Sequence, residues 1–194
     1  MKQPTLPGTN RANHAHLGRN LEDLLDRTHS VYAVQKKANI EKNPVEWVYT
    51  SQSQYNTLRN NRADIVAVTN NARYIKRKKS DVDYAGVVAP SGRFITFDAK
   101  ETTGKSFPLS NVAEHQIQTL LKKAECGALA GLMIYFSDLD RLFFLEIDYV
   151  DAANIEMLYK KGRKSIPLAD CIDLGTEIPI HGNLADWYSV LFAK

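Results

Sequence analysis

The sequence predicts a mixed α/β domain, with a helix ahead of a sheet and a second helix inside it. Three observations carry this. Leucines recur at helical spacing near the start, two strand-like stretches flank a Pro-Ser-Gly turn, and a second helical pattern runs into an almost unbroken apolar stretch.

Residues 1–16 contain Pro4, Pro7 and Gly8 with little apolar patterning, and are expected to form a flexible arm. From Leu17 the chain turns helical: Leu17, Leu21, Leu24, Leu25 and Thr28 fall on one stripe, with Glu22, Asp23 and Asp26 away from its centre. Val45 to Thr50 reads as a strand. The polar, basic residues that follow, about 51–80, contain an apolar stretch from Ile65 to Val68 and form an insertion ahead of the next core strand. Val82–Ala89 and Arg93–Lys100 are strands joined by the Pro90-Ser91-Gly92 turn, and so form an antiparallel hairpin. Asn111–Glu125 is helical, Leu129–Phe136 and Leu142–Ile147 are strands, and Asp148–Tyr159 and Leu184–Phe192 are helices. The apolar run at Leu129–Phe136 is that of a buried central strand. Residues 17–194 are expected to be one domain that carries the insertion.

The chain has 194 residues, 44% hydrophobic and 24% charged, which suffices for one real core in a globular protein. The net charge of +3 decides little, but its distribution is informative. Arg59, Arg62, Arg73, Lys76, Arg77, Lys78 and Lys79 crowd one stretch against a single acid, Asp64; Lys160, Lys161, Arg163 and Lys164 form a second cluster. Such segregation suits a phosphate backbone, although either cluster alone is equally a solvated basic loop. Cys126 and Cys171 lie in no CxxC pattern, which argues against a disulfide framework or structural zinc. The five histidines are scattered. No stretch has the length and apolarity of a membrane span, and a reducing cytoplasm is the expected location.

The chemistry concentrates in Asp81-Val82-Asp83-Tyr84-Ala85-Gly86 and Phe97-Asp98-Ala99-Lys100. Residues two apart on a strand share a face, so Asp81 and Asp83 point together, as do Asp98 and Lys100. Pairing about the turn brings all four to one end of the hairpin. Converging carboxylates repel unless a cation joins them, and a hard divalent metal such as magnesium is the natural choice. That metal can activate water against a phosphodiester, and a nearby ammonium can stabilise the charge that develops. The competing reading is an ordinary surface Asp–Lys pair on an edge strand. The alternation weighs against it, because Ile95, Phe97 and Ala99 give the opposite face an apolar character.

The order Asp83, then Asp98-x-Lys100 resembles the PD-(D/E)xK signature of restriction-endonuclease-like folds. The wider context is more specific. FDAKETTGKSFPLSNVAEHQI from Phe97, DYAG from Asp83, KKGRKSIPL from Lys160 and LEDLL from Leu21 resemble stretches of the RecU family of Holliday-junction resolvases, in the family's order along the chain. The resemblance implies a mixed central sheet flanked by helices, with a protruding basic stalk. It implies Asp83 and Asp98 as metal carboxylates, Lys100 as the catalytic lysine and Gln116 in the metal site. Asp81 stands where the family has threonine and adds a candidate ligand; Glu22 on the first helix is a candidate accessory acid. The basic residues of both clusters would contact DNA. The implied activity is magnesium-dependent hydrolysis, with manganese as a substitute, leaving 5′-phosphate and 3′-hydroxyl ends on branched DNA. A homodimer would act on the two strands, with a recombinase or branch-migration protein as a further partner, in a bacterial or phage-infected cell. Departures are Asp98 in place of glutamate, a hairpin two residues longer, and a stalk that aligns poorly. The alternatives are a duplex-cutting nuclease on the same core and a non-cutting DNA-binding or recombinase-modulating protein.

Overall fold

The computed structural model describes residues 14–44, 47–50, 65–69, 72–76, 82–160 and 163–193, with side chains described in 21–44, 82–153 and 163–193. Helix α1, His14–Val34, begins three residues inside the segment read as an arm; residues 1–13 lie outside the described residues. Its predicted stripe is the buried one: Leu21, Leu25 and Thr28 are nearly or fully inaccessible. A short strand absent from the sequence reading follows, β1, Ala38–Lys42. Next come β2, Trp47–Thr50, β3, Ile65–Thr69, and β4, Ala72–Lys76. They form a separate antiparallel sheet in the order β2-β4-β3. Trp47–Thr50, within the strand expected at Val45–Thr50, therefore pairs in this second sheet and not in the central one.

The hairpin is as expected. Strand β5, Tyr84–Val88, runs antiparallel to β6, Arg93–Thr102, with Tyr84 opposite Phe97 and Val88 opposite Arg93. Gly92 takes φ +67° in the turn, a conformation that a side chain would strain. Gly86 answers a different need: a Cβ there would lie 2.0 Å from the Asn39 carbonyl oxygen, so glycine lets β1 close against β5.

Strand β7, Ser106–Pro108, a 3-10 turn and helix α2, Glu114–Glu125, lead to β8, Leu129–Phe136, which pairs parallel with β6. Then come β9, Arg141–Glu146, α3, Ile147–Lys160, β10, Ser165–Pro167, α4, Leu168–Leu174, and β11, Thr176–Ile178. The C-terminal stretch differs from expectation. Strands β12, Ile180–His181, and β13, Leu184–Ala185, form a hairpin, and α5 occupies only Trp187–Leu191. Asp186 caps α5 by accepting the Ser189 N–H, which fixes its start two residues after the end of β13.

The central sheet has the order β1-β5-β6-β8-β9-β11 and is mixed, with one parallel pair bridged by α2. Its topology and flanking helices are those of a restriction-endonuclease-like core. Two hydrophobic clusters cover its faces. Phe107, Ile117, Leu120, Leu132, Ile134, Phe143 and Ile166 belong to the α2 side; Leu21, Leu25, Tyr84, Ile95, Phe97, Met133 and Trp187 belong to the α1 side. Each fully buried Phe or Leu contributes roughly 1.5–3 kcal/mol through burial. Strand β6 thus has Ile95 and Phe97 facing α1, while Thr96 and Asp98 face α2. Among the described residues, no helix is long and apolar enough to cross a membrane.

Candidate active site

Asp83 lies on a bend one residue before β5, one step beyond the Tyr84–Phe97 pair and therefore opposite Asp98. Its Oδ2 accepts the Ala99 N–H at 2.9 Å. Asp98 is fully buried, which excludes the ordinary surface Asp–Lys pair. Gln116 Nε2 donates to its Oδ1 at 3.0 Å, and Lys100 Nζ stands 2.5 Å from its Oδ2. Apart from that ion-pair contact, Oδ2 has no aligned hydrogen bond among the described residues.

Gln116 explains why the site forms where α2 begins. It is the third residue of that helix, and its Oε1 accepts the Ala113 N–H at 3.1 Å, capping an otherwise open donor. The same oxygen is 3.5 Å from Lys100 Nζ. One amide therefore ties the helix start to the aspartate and approaches the lysine. Used as a metal ligand, Oε1 would have to give up or share that cap.

Burial, followed by the adjacent Asp98 carboxylate, pushes the Asp83 carboxyl up to about 7 against the opposing effects of the Ala99 N–H and Lys100. Glu101 projects to the α1 side of β6, and burial raises its carboxyl to about 7 as well. Both groups hold protons more tightly folded than unfolded. Between their ordinary range and about pH 7 the folded chain carries the extra protons, so metal-free stability falls as pH rises through that window. Asp83→Asn removes one of these contributions. Its melting temperature in chelator should exceed the wild-type value at about pH 8, and the gap should close by about pH 4. A gap independent of pH would exclude Asp83 as the source.

The other candidates are placed as follows. Asp81, Arg59, Arg62, Arg77, Lys78, Lys79 and Lys161 lie outside the described residues. Arg73 and Lys76 are on β4 and Lys160 ends α3, without described side chains. Glu22 accepts from Lys42 Nζ at 2.6 Å on the surface. Arg163 is turned inward onto Asp170 and the Tyr149 hydroxyl, whereas Lys164 is exposed. Sequence reasoning missed Asn43, whose N–H donates to the Asp83 carbonyl at 2.8 Å and whose Nδ2 donates to the Val82 carbonyl at 2.8 Å. Its only signal was its position before Pro44, at the end of an unrecognised strand.

Among the described residues, no three histidine, cysteine, aspartate or glutamate side chains converge. A metal here would rest on two carboxylates, completed by amide or backbone oxygen, water and phosphate. That donor set fits magnesium, which retains waters and commonly takes only one or two carboxylates. The incompletely satisfied, buried Asp98 Oδ2 fits it too.

A family model described as Recombination protein U matches residues 16–191. The chain belongs to the RecU family. It is 32% identical over 183 residues to Holliday junction resolvase RecU of Limosilactobacillus reuteri strain DSM 20016, covering 89% of this chain and 79% of that protein. Against the protein of the same name from Geobacillus kaustophilus strain HTA426 the identity is 32% over 179 residues, covering 87% and 79%. For that from Lactococcus lactis subsp. cremoris strain SK11 it is 38% over 104 residues, covering 53% and 46%. The RecU match runs from within α1 to the end of α5, and so includes Asp83, Asp98, Lys100 and Gln116.

Proposed function

We propose that this chain is an endonuclease that resolves four-way DNA junctions by magnesium-dependent phosphodiester hydrolysis. The observation that carries the reading is Asp83 opposite Asp98, with Lys100 and Gln116 on the latter, in a chain of this family. Asp83 and Asp98 hold the metal, and Gln116 orients Asp98 and stands at the edge of the site as a further oxygen donor. Asp81 is a third candidate carboxylate and Glu22 an accessory acid. Bound magnesium supplies an acidified water and charge neutralisation at the scissile phosphate; manganese can replace it by its ligand preference.

Lys100 directs its ammonium into the same space. It balances Asp98 and can stabilise the charge that grows on the phosphate as water attacks. The Ala99 N–H fixes the Asp83 carboxylate, so the two acids are held before substrate arrives. The products are 5′-phosphate and 3′-hydroxyl ends. Two copies related by a twofold axis would cut two strands symmetrically, and a recombinase is a candidate partner in the bacterial cytoplasm.

The deciding experiment uses labelled four-way junction, linear duplex and single strand, each with and without magnesium. Preferential, magnesium-dependent nicking of the junction supports the reading. Equal cutting of duplex favours a general nuclease, and junction binding without cleavage favours a recombinase-modulating protein.

Junction selectivity is assigned to the basic insertion, with Lys160, Lys161, Arg163 and Lys164 as further DNA-binding candidates. Replacing Arg73, Lys76, Arg77, Lys78 and Lys79 by neutral residues should weaken junction binding more than duplex binding. It should also lower the salt slope of log K by roughly 0.9 for each duplex-like phosphate no longer neutralised. Equal weakening of both substrates would leave selectivity to the shape of the dimer.

A further inference from the structure

Asp83 is exposed to fraying on two sides. The β5–β6 ladder begins at Tyr84–Phe97, and the β1–β5 ladder ends at Lys42–Tyr84, so Asp83 lies one residue beyond both. A residue beyond its last ladder pair opens readily unless something else holds it. Here the carboxylate is held by Ala99, which leaves the backbone to be fixed. Asn43 does this through two bonds of 2.8 Å, its N–H to the Asp83 carbonyl and its Nδ2 to the Val82 carbonyl. Val82 is fully buried in the α2-side core, so the bend is anchored at its root as well.

We propose that Asn43 is a positioning residue for the Asp83 carboxylate: by holding both carbonyls of the bend it sets the separation of Asp83 from Asp98. The inference rests on the proposed metal-binding role of Asp83. An asparagine suits the task because its amide can donate to a carbonyl. Aspartate would set a carboxylate oxygen against the Val82 carbonyl, and alanine would remove the side-chain donor to it. Asn43 follows β1, and Val82 and Asp83 lead into β5, so the central sheet resumes beside it. The segment between these points is thus joined to the core beside a residue of the site.

The test compares full-length wild type with Asn43→Ala, Asn43→Asp and Tyr188→Phe. The last removes a comparable bond, Tyr188 Oη to the Ala89 carbonyl at 3.0 Å, just past the other end of β5. Asn43→Ala should lower the saturated junction-cleavage rate about tenfold, since small misplacements of reacting groups are costly. Its magnesium affinity, measured by calorimetry on the protein alone, should weaken several-fold. Junction affinity in chelator should stay within about twofold, because no phosphate-binding group is removed. Asn43→Asp should be worse in rate and metal affinity, and Tyr188→Phe should match wild type in both. Should Asn43→Ala fail to fold, Asn43→Ser, with a shorter donor, is expected to show the same shifts at smaller size. Wild-type rate and magnesium affinity in the folded Asn43 variants would overturn the inference, as would equal losses in Tyr188→Phe. Cleavage by the wild type in chelator would instead overturn the metal role of Asp83, and this inference with it.

Discussion

Asp83→Asn is expected to abolish strand cleavage while leaving junction binding at wild-type strength or slightly tighter. The loss should be at least on the order of 10²–10³ in rate, comparable to removing one preorganised electrostatic group and amplified by loss of a metal carboxylate. Binding survives because a neutral amide removes repulsion against phosphate. The same substitution at Asp98 should be as damaging to rate but less clean. Asp98 is fully buried with Lys100 against it, and removing one member of a buried pair leaves the other uncompensated. Asp83, whose carboxyl is pushed up to about 7, is already partly neutral near that pH in the metal-free chain. Its asparagine therefore resembles a state that the fold already accepts. Single-turnover cleavage beside junction binding in chelator makes the comparison, and wild-type turnover in Asp83→Asn would defeat the assignment.

Lys100→Ala should lower single-turnover cleavage about a hundredfold at saturating magnesium, by removing a charge aimed at the reacting phosphate. Magnesium affinity should be unchanged or modestly higher, since the Asp98 carboxylate loses a competing cation. Lys100→Arg should not restore the rate. The lysine side chain is only 18% exposed, with Nζ held between Asp98 and Gln116, a space matched to a compact ammonium and not to a planar fork. Full activity in Lys100→Ala would return the residue to a structural role as the partner of Asp98.

The hairpin and its carboxylates were legible because strand parity is a local property. Tyr84 to Lys100 alternate about a turn that its own proline and glycine declare, and Asp83 and Asp98 then fall opposite one another. The burial of Asp98 was not legible, because it depends on α2 packing across β6 and on a side chain eighteen positions away, Gln116. Strand β1 was missed for a related reason. Ala-Asn-Ile-Glu-Lys buries only Ala38 fully, and its strand character comes from pairing with β5. The strand at Trp47–Thr50 was recognised but its pairing with β4 was not, since side-chain pattern specifies extended backbone but not its partner. At the C-terminus, apolar spacing from Leu184 read as one helix, although Gly182 at φ +61° turns a hairpin first.

The short ladder between β7 and β10 reaches further than its length suggests. Ile166 pairs with Phe107, and the flanking bonds run from the Leu109 N–H to the Lys164 carbonyl and from the Leu168 N–H to the Lys105 carbonyl. Arg163 is clamped beside it by Asp170 and Tyr149. The backbone at Lys164 is thereby stitched to the segment that links the Lys100 strand to the Gln116 helix. The Lys164 backbone is so kept in register with the strand and the helix that carry the site. A phosphate held there, in the DNA-binding role proposed for this stretch, would lie at a set offset from the carboxylates.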